Sequence, residues 1–472
     1  MFDSEYYAIL GAILVILELA GLLLAVDVVM SPRSSQGTIA WLVALILLPI
    51  VTIPLYLLFG RTRFHGYTEA LREKENQIGK YWTEWFSQMN LLASKPQEGL
   101  QVLDSVVRSL TGVSFTRGNR VELLLDGEAT YNSMLEAIAL AKDYVCVQFY
   151  LVRDDNSGCR LRDALIEKAR SGVRVYFLYD EIGSINLADS FLDVMREASI
   201  EVSGFKTTRG RNNRLQINFR NHRKLLIVDG RTGFIGGHNL GDEYLIYRDT
   251  HLRIEGPAAQ HIQRSFLKDW FWATAQIPQS NLTAMPPCKA GLDVAIVNTG
   301  PADANPHCSL LFTTLVDMSR HRLWLTSPYF VPDDVMVRAL QAAAVRGVDV
   351  RILLPEKADQ RFIDLASFTY YANMTNCGVR LFRYRGRFMH QKVILVDNLV
   401  AGVGTVNLDN RSFYLNFEAT GLVADCDFVK QVETMLTDDL KASEEVNRSH
   451  FDEKPVWFQA AARVARLASP LL

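Results

Sequence analysis

Two long apolar stretches open the chain. Between residues 6 and 26 the only ionised side chain is Glu18, and between residues 37 and 60 there is none. Each stretch reaches the roughly 20 helical residues that cross about 30 Å of hydrocarbon. Residues 1–60 are therefore predicted to form a transmembrane helical hairpin, with spans at about residues 6–28 and 38–60.

The charges that flank these stretches predict a topology. Only Arg33 lies in the link between them, whereas four basic residues follow the second stretch: Arg61, Arg63, Arg72 and Lys74. Because basic flanks stay in the cytoplasm, the hairpin is predicted to cross the membrane twice, with the amino terminus and the body after about residue 60 both cytoplasmic. A cleaved secretory signal is the alternative for the first stretch, but its leader carries Asp3 and Glu5 and no basic residue.

Two amphipathic segments flank the body. Residues 61–110 are charged and aromatic, and are predicted to form an amphipathic connector that lies either on the membrane surface or against the body. Residues 451–472 place apolar and Arg side chains at helical spacing. They predict a C-terminal amphipathic helix that docks on the body or on the membrane.

An internal repeat organises the rest of the chain. Residues 169–175 (ARSGVRV) match residues 344–350 (AVRGVDV), and each copy ends a helical pattern with Gly and enters an apolar strand. Another strand-like run precedes each copy, at residues 144–151 and 322–326. This spacing predicts βαβ units and an α/β fold of two fused sandwich halves around mixed sheets, joined by a Pro-rich linker near residues 276–292. The two halves are predicted to cover residues 111–285 and 286–450.

A second shared block is more specific. His-x-Lys, four apolar residues and Asp occur in this order at residues 222–229 and again at residues 390–397. Gly-x-x-Asn begins seven positions after each Asp, at residues 236–239 and 404–407. Each Asp also begins an ordinary hairpin-turn dipeptide, and a lone His-x-Lys carries little weight. Two complete blocks within a longer repeat nevertheless indicate a functional site.

The repeated residues suit the chemistry of a tetrahedral oxyanion. Each copy offers an imidazole and a fixed cation on one strand face: His222 with Lys224, and His390 with Lys392. Two copies that meet across a pseudo-twofold axis are predicted to surround one pocket, with Asn239 and Asn407 as neutral donors. One imidazole can then attack phosphorus while the other donates a proton to the leaving alkoxide.

Charge favours a phosphate-bearing ligand only locally. The chain has 50 Lys plus Arg against 52 Asp plus Glu, and the net charge of −2 excludes a protein that coats polyanions. Basic residues cluster before each motif: Lys206, Arg209, Arg211, Arg214, Arg220 and Arg223 before the first, and Arg380, Arg383, Arg385 and Arg387 before the second. These clusters favour phosphate recognition, with a solvated basic face as the alternative for most of them.

Two acids and two further histidines complete the candidates. Asp249 and Glu418 lie beyond the two Asn residues and either orient the imidazoles or serve as buried turn acids. His238 and His251 suggest a metal, but no Cys or acid spacing of a zinc site accompanies them. The six cysteines form no Cys-x-x-Cys pair, as expected of reduced thiols in a cytosolic body. Neither a metal nor a cofactor is predicted.

These residues resemble the phospholipase D superfamily, whose hallmark is two His-x-Lys-x4-Asp motifs with Gly-x-x-Asn or a close variant downstream. With an amino-terminal membrane hairpin and a body of this length, the resemblance is closest to the bacterial cardiolipin synthase family and covers essentially the whole chain. Gly237 and Thr405 stand where Ser is common, a departure that leaves both Asn residues intact. The motif residues correspond one to one: His222, Lys224, Asp229, His390, Lys392 and Asp397.

The resemblance implies phosphatidyl transfer without a metal. One His forms a phosphohistidine with a phosphatidyl group from phosphatidylglycerol and releases glycerol; a second phosphatidylglycerol then supplies the attacking hydroxyl, giving cardiolipin. The resemblance assigns His222 as the nucleophile and His390 as general acid and then base. It places Glu418 where an acid orients the catalytic His. The expected partners are phosphatidylglycerol and membrane lipids.

Other functions remain as alternatives. A phospholipase D or a phosphatidylserine synthase differs only in whether water or serine accepts the phosphatidyl group, and the hairpin favours lipid acceptors. A membrane-anchored nuclease or nucleic-acid binder would use the basic segments, but these are short and lack interleaved aromatic residues. A catalytically silent scaffold is disfavoured by the intact motifs. Nucleic acid is not an expected partner, and the sequence leaves the oligomeric state open.

Overall fold

The computed structural model describes residues 4–31, 34–73, 75–209, 217–278, 291–446, 449 and 453–472. Most of the predicted linker, with Cys288, and the basic residues Arg211 and Arg214 lie outside the described residues. Contacts divide the chain into two compact units. One comprises residues 1–68 and 207–219, and the other comprises residues 69–206 and 220–472.

The helices of the first unit differ from the predicted pair of spans. They are α1 (Ser4–Met30), α2 (Ser35–Leu47) and α3 (Pro49–Phe59). Among the described residues, only Ile9–Met30 in α1 is long and apolar enough to cross a membrane alone. The second predicted span is broken after Leu47, because Pro49 has no N–H and begins a new helix. The resulting helices have 13 and 11 residues, fewer than a single-helix span needs.

Close packing holds these three helices together. A Cβ on Gly21 of α1 would lie 2.8 Å from the Leu45 carbonyl oxygen of α2, so glycine permits this approach. The Tyr56 hydroxyl of α3 donates a 2.6 Å hydrogen bond to Asp27, which gives this acid of the apolar segment a partner. Across the break, the Thr52 hydroxyl donates to the carbonyl of Ala44 at 3.0 Å.

The predicted connector forms three helices: α4 (His65–Glu73), α5 (Glu75–Leu91) and α6 (Gln101–Thr111). In α5 the buried Trp85 ring lies 5.0 Å from the His261 ring, and the Phe86 ring lies 4.4 Å from the Arg264 Cζ. In α6 the side chains of Leu103 and Val107 are buried in a core cluster with strands of the body. Of the two predicted locations, the membrane surface and the protein body, the structure therefore places α5 and α6 against the body.

The first half of the body begins with a strand and ends with a long buried helix. Its elements are β1 (Thr116–Leu125), α7 (Asp126–Ala139), β2 (Tyr144–Phe149), α8 (Asn156–Arg170), β3 (Arg174–Asp180), α9 (Asp189–Glu197), β4 (Glu201–Phe205), β5 (Arg220–Asn221), β6 (Leu225–Val228), β7 (Thr232–Gly236), α10 (Asp242–Ile246), β8 (Thr250–Glu255) and α11 (Pro257–Thr274).

The second half follows a similar order, with several short strands of its own and a C-terminal helix. Its elements are β9 (Leu292–Thr299), α12 (His307–Met318), β10 (Arg322–Thr326), β11 (Phe330–Val331), α13 (Asp334–Val345), β12 (Asp349–Pro355), α14 (Arg361–Thr375), β13 (Arg380–Tyr384), β14 (Val393–Val396), β15 (Val400–Gly404), β16 (Leu408–Asp409), α15 (Asn410–Tyr414), β17 (Asn416–Ala424), α16 (Cys426–Lys441), β18 (Ser443–Glu445) and α17 (Val456–Arg466).

The predicted βαβ pairs are present in both halves. Strands β2 and β3 are parallel, as are β10 and β12, which confirms the α/β class with a mixed sheet. Strands β6 and β14 run antiparallel beside β2 and β10. The halves share one large sheet, because β1 of the first half pairs with β9 of the second. Within the described residues the strand order is β18-β13-β12-β10-β14-β15-β17-β9-β1-β8-β7-β6-β2-β3-β4.

Each half has its own core, which fixes the position of its motif. Leu226 and Val228 of β6 pack in one core cluster with β2 and β3. Ile394 and Val396 of β14 pack in another with β10 and β12. Burial of these strands determines where the preceding His-x-Lys residues lie.

Candidate active site

Both motif histidines lie immediately before a buried strand rather than within it. His222 and His390 occupy irregular segments, and the strands begin at Leu225 and Val393. The backbone N–H of His222 donates to the Phe417 carbonyl at 2.9 Å, and that of His390 donates to the Arg248 carbonyl at 2.8 Å. Each histidine is therefore held by backbone of the opposite half.

A buried carboxylate from the opposite half also holds each imidazole. The Nδ1 atom of His222 lies 3.0 Å from both carboxylate oxygens of Glu418, and the Nδ1 atom of His390 lies 2.6 Å from Asp249. Both acids are completely buried. Since a carboxylate accepts, Nδ1 carries the proton in each ring and Nε2 is left with its lone pair. The arrangement supplies two oriented nucleophilic nitrogens.

The two carboxylates differ in their surroundings. Glu418 accepts hydrogen bonds from the Thr405 hydroxyl, from Ser412 at 2.9 Å and from Asn416 at 3.1 Å. Burial raises the pKa of Glu418, but His222 and the other donors outweigh it and hold the pKa below its ordinary value. Burial raises the pKa of Asp249 above its ordinary value despite nearby cations. Glu418 is therefore the more firmly ionised of the two.

Both imidazoles are neutral at neutral pH. Burial lowers the pKa of His222 to about 4, although Glu418 opposes this shift. Burial, with Lys392 and Lys224 nearby, lowers the pKa of His390 well below its ordinary value. A neutral imidazole can attack phosphorus, whereas an imidazolium cannot.

The motif lysines lie next to the imidazoles. The ammonium of Lys224 donates to the carbonyl of His222 at 2.6 Å, and that of Lys392 donates to the carbonyl of His390. Burial lowers the pKa of Lys392 to about 8 and that of Lys224 well below its ordinary value. An ammonium has three donors, so each lysine retains capacity for a substrate oxyanion.

The predicted asparagines follow strands β7 and β15. The side-chain oxygen of Asn239 accepts from the backbone N–H of Leu151 at 3.2 Å, which turns the amide nitrogen away from that contact. Asn407 is buried, and its Oδ1 has no hydrogen-bond partner among the described residues. Its backbone N–H donates to Ser412 Oγ, the same hydroxyl that bonds Glu418.

The structure does not bring the motif aspartates to the imidazoles. Asp229 accepts from three consecutive backbone N–H groups, and Asp397 does the same. The donors are Lys142, Asp143 and Tyr144 for the first aspartate, and Arg320, His321 and Arg322 for the second. Each aspartate directly follows its motif strand, Leu225–Val228 or Val393–Val396, whereas the imidazole precedes that strand, so carboxylate and imidazole lie at opposite ends of it.

Most of the basic residues near the two motifs form ion pairs with acidic side chains of the protein. Arg223 is buried and pairs with Asp269 at 2.8 Å, behind His222. The four Arg residues before the second motif pair with acids: Arg380 with Glu445, Arg383 with Asp364, Arg385 with Glu444, and Arg387 with Asp126. Lys206 pairs with Glu181 at 2.9 Å. These contacts do not support the prediction that the clusters bind phosphate as a group.

The sequence did not predict that a tyrosine ring lies next to each imidazole. The Tyr150 ring lies 4.9 Å from the His222 ring, and the Tyr244 ring lies 5.6 Å from the His390 ring. Tyr150 directly follows β2, and this position at the carboxyl end of a strand was the available signal. His238 and His251 are buried, with ring centroids 5.8 Å apart.

The duplicated halves, each giving one His-x-Lys motif to a shared site, define a protein of the phospholipase D-like class. Comparison with known families agrees. The family described as "Cardiolipin synthase, PLD-like domain" matches residues 134–270 and 312–440, and the one described as "Phospholipase_D-nuclease N-terminal" matches residues 19–61. The chain belongs to the bacterial cardiolipin synthase family of the phospholipase D superfamily.

Curated relatives match over nearly the full length. Cardiolipin synthase A of Pseudomonas aeruginosa is 42% identical over 475 residues, covering 98% of this chain and 96% of that protein. Cardiolipin synthase A of Pseudomonas syringae pv. syringae is 41% identical, covering 98% of each. A solved structure, the phosphatidylserine synthase of Haemophilus influenzae, has a TM-score of 0.62 at 15% identity and covers 79% of this chain and 100% of that chain. At this identity the likeness shows the fold alone.

Proposed function

We propose that this enzyme joins two phosphatidylglycerol molecules into cardiolipin and glycerol by phosphatidyl transfer. The observation that carries the proposal is the crossed pairing of each imidazole with a buried carboxylate of the opposite half. This pairing presents two Nε2 atoms, one for each of the two roles that phosphoryl transfer requires.

In the first half-reaction, Nε2 of His222 attacks the phosphorus of one phosphatidylglycerol. The phosphorus–oxygen bond to the headgroup glycerol breaks, and His390 gives the departing alkoxide a proton. The products are phosphatidyl-His222 and free glycerol. The resting His390 is neutral, but an anionic phosphodiester beside it raises its pKa and favours the protonated form that this step needs.

In the second half-reaction, a headgroup hydroxyl of another phosphatidylglycerol attacks the same phosphorus. His390 now accepts the hydroxyl proton, the phosphorus–nitrogen bond breaks, and cardiolipin leaves with His222 restored. His390 donates a proton in the first half-reaction and accepts one in the second, so it ends the cycle in the protonation state in which it began.

The asymmetry of the carboxylates supports His222 as the nucleophile. A phosphorylated imidazole with a proton on Nδ1 carries a positive charge on the ring, which an ionised carboxylate stabilises. Glu418, with three additional donors, is the firmly ionised partner and lies behind His222. His390, paired with the less acidic Asp249, is assigned the proton shuttle.

The lysines and asparagines are assigned to the phosphoryl oxygens. Lys224 and Lys392 supply one amine donor group from each half, next to His222 and His390, and Asn239 and Asn407 supply amide donors. Preorganised donors of this kind stabilise charge that grows in the transition state. Asp229 and Asp397 are assigned a positioning role. Each accepts from backbone N–H groups at the start of the neighbouring strand, β2 or β10, and so fixes that strand against the motif strand, β6 or β14.

We further propose that α1 crosses the bilayer and that α2 and α3 return as one broken span. The Thr52 hydroxyl and the backbone N–H of Leu48 both donate to the Ala44 carbonyl, and these contacts join α2 and α3 across the break. The basic residues after residue 60 then place the amino terminus and the body on the cytoplasmic side of the cell inner membrane.

The test of the function uses purified full-length protein in mixed micelles with phosphatidylglycerol alone and a chelator present. We expect cardiolipin and free glycerol in equal amounts. Phosphatidic acid in place of cardiolipin would identify a hydrolase, and dependence on added serine would identify a phosphatidylserine synthase. Turnover of oligonucleotides with none of phosphatidylglycerol would overturn the lipid function.

A further inference from the structure

The outer face of the C-terminal helix α17 is apolar although it faces away from the protein. Trp457, Val464 and Leu467 are 71%, 64% and 81% exposed. At 100° per residue these side chains and that of Val456 fall within about 100° of arc. A helix that only covers a protein body presents polar residues on this face, so a contiguous apolar stripe indicates a further contact.

The opposite face of α17 is firmly packed. Ala462 and Ala465 are buried, and the Phe458 ring lies 5.2 Å from the Phe368 ring of α14. The Arg466 guanidinium lies 4.6 Å from the Tyr370 ring centroid of the same helix. The stripe is therefore the outward side of a fixed helix and not part of an incompletely packed segment.

A short chain of contacts connects α17 to the active site. The carbonyl of Leu472 accepts a 2.7 Å hydrogen bond from the backbone N–H of Arg411 in α15. The next residue of α15, Ser412, donates to Glu418, the acid that holds His222. These hydrogen bonds fix the position of the stripe, and of any surface that it contacts, relative to His222.

We propose that this stripe, Val456, Trp457, Val464 and Leu467, inserts into the headgroup region of an anionic phospholipid bilayer and holds the active site at the lipid surface. The inference rests on the proposed function, because a diacyl substrate must bring its phosphate to His222 while its acyl chains stay in the membrane.

Charge supports a bilayer as the occupant. Residues 454–472 include no acidic side chain, and the exposed Arg463 lies at the margin of the stripe, where it complements an anionic headgroup layer. Trp at the edge of an apolar face is the side chain that settles at the membrane interface. Amphipathic helices of this composition bind in the plane of the interface through their apolar face.

The first experiment measures contact directly. Full-length protein is reconstituted in vesicles that contain phosphatidylglycerol with brominated acyl chains, and its tryptophan fluorescence is compared with that of Trp457→Phe. We expect part of the quenching to disappear in this variant, because Trp457 lies among the lipids. Equal quenching in both proteins would overturn the proposal. This measurement needs no turnover, so it stands even if the proposed reaction fails.

The second experiment separates docking from chemistry. The triple variant Trp457→Ser, Val464→Ser, Leu467→Ser is expected to raise KM for vesicle phosphatidylglycerol at least about fivefold. Its turnover of a short-chain, monomeric phosphatidylglycerol should stay at the wild-type rate. A matched control is Val102→Ser, Leu140→Ser, Val345→Ser, which changes three comparably exposed apolar residues on other elements and should leave both activities unchanged.

Three outcomes would contradict the proposal. An equal loss on both substrates would show that the stripe acts through the fold of the site. An unchanged KM for vesicles would show that the stripe does not meet lipid. A dimer that the triple variant converts to a monomer, with unaltered vesicle activity, would identify a second copy of this chain as the occupant.

Discussion

At the scale of single residues, the activity depends on the acid behind each imidazole. Glu418 and Asp249 accept hydrogen bonds from the Nδ1–H groups of His222 and His390, and each acid comes from the opposite half of the chain. Neither half alone therefore orients its own histidine. The His, Lys and Asn residues could be predicted because the repeat displays them twice.

The pairing itself could not be predicted. Glu418 lies 196 residues from His222, and Asp249 lies 141 residues from His390. Only the joined sheet brings them together. For the same reason the sequence grouped Asp229 and Asp397 with the imidazoles, whereas their contacts are with the backbone at the far end of the strands.

Glu418→Gln tests the orienting role. The substitution replaces one of the two carboxylate acceptors of the Nδ1–H group by an amide donor, and a neutral side chain cannot stabilise a cationic phosphohistidine, so we expect kcat to fall by about 10²–10⁴-fold with little change in KM. Steady-state kinetics on phosphatidylglycerol micelles measure this. The matched control is Glu444→Gln, at an exposed pair with Arg385. Retention of more than half of kcat in Glu418→Gln would refute the role.

Asp229→Ala tests whether that residue supports structure rather than chemistry. Three backbone donors lose their acceptor, and the left-handed backbone at a φ of 52° is unfavourable for Ala, so we expect about 2 kcal/mol or more of destabilisation. Asp229→Asn keeps an acceptor and tolerates this φ, and should lose less. The measurements are thermal unfolding and kcat per folded molecule. A large fall in kcat with unchanged stability would show that Asp229 takes part in the reaction itself.

At the scale of elements, apolar length alone did not reveal the break within the second predicted span. The second stretch is long enough to span, yet Pro49 divides it into α2 and α3. Proline was visible in the sequence, but the contacts that join the two pieces to α1 were not. Residues 61–110 show the same limit: their amphipathic pattern fits a membrane surface and a protein surface equally well.

Gly21→Val tests the packing of α1 on α2. Its Cβ would lie 2.8 Å from the Leu45 carbonyl oxygen, so the helices must separate. We expect faster proteolysis of residues 35–59 in detergent micelles. Gly11→Val is the matched control, because no atom lies within 4 Å of its Cβ. Equal proteolysis of the two variants would contradict this packing.

The buried His261 in α11 is expected to make the protein less stable as the pH falls. Burial lowers its pKa to about 3 in the folded protein, against about 6.5 in an unfolded chain. Below pH 6.5 the unfolded state takes up a proton that the folded state does not, so stability falls as pH falls. From pH 7 to pH 5 this amounts to about 2 kcal/mol. His261→Gln should lose less stability over this range in thermal unfolding, and an identical loss would disprove the assignment.

At the scale of the whole molecule, duplication gives one site from two halves. The sequence repeat predicted the halves and their βαβ units, and the strand pairs β2–β3 and β10–β12 confirm those units. It did not predict that β1 and β9 join the halves into one sheet. Strand pairing between halves depends on edge complementarity, which periodicity does not reveal.

The most direct test of the account is the identity of the covalent intermediate. Full-length protein is mixed with phosphatidylglycerol labelled in its acyl chains, quenched in alkaline detergent within one turnover, and digested for mass spectrometry. We predict a phosphatidyl group on His222 in the wild-type protein and none in His222→Ala. A phosphatidyl group on His390, or turnover to cardiolipin with no histidine modified, would contradict the account.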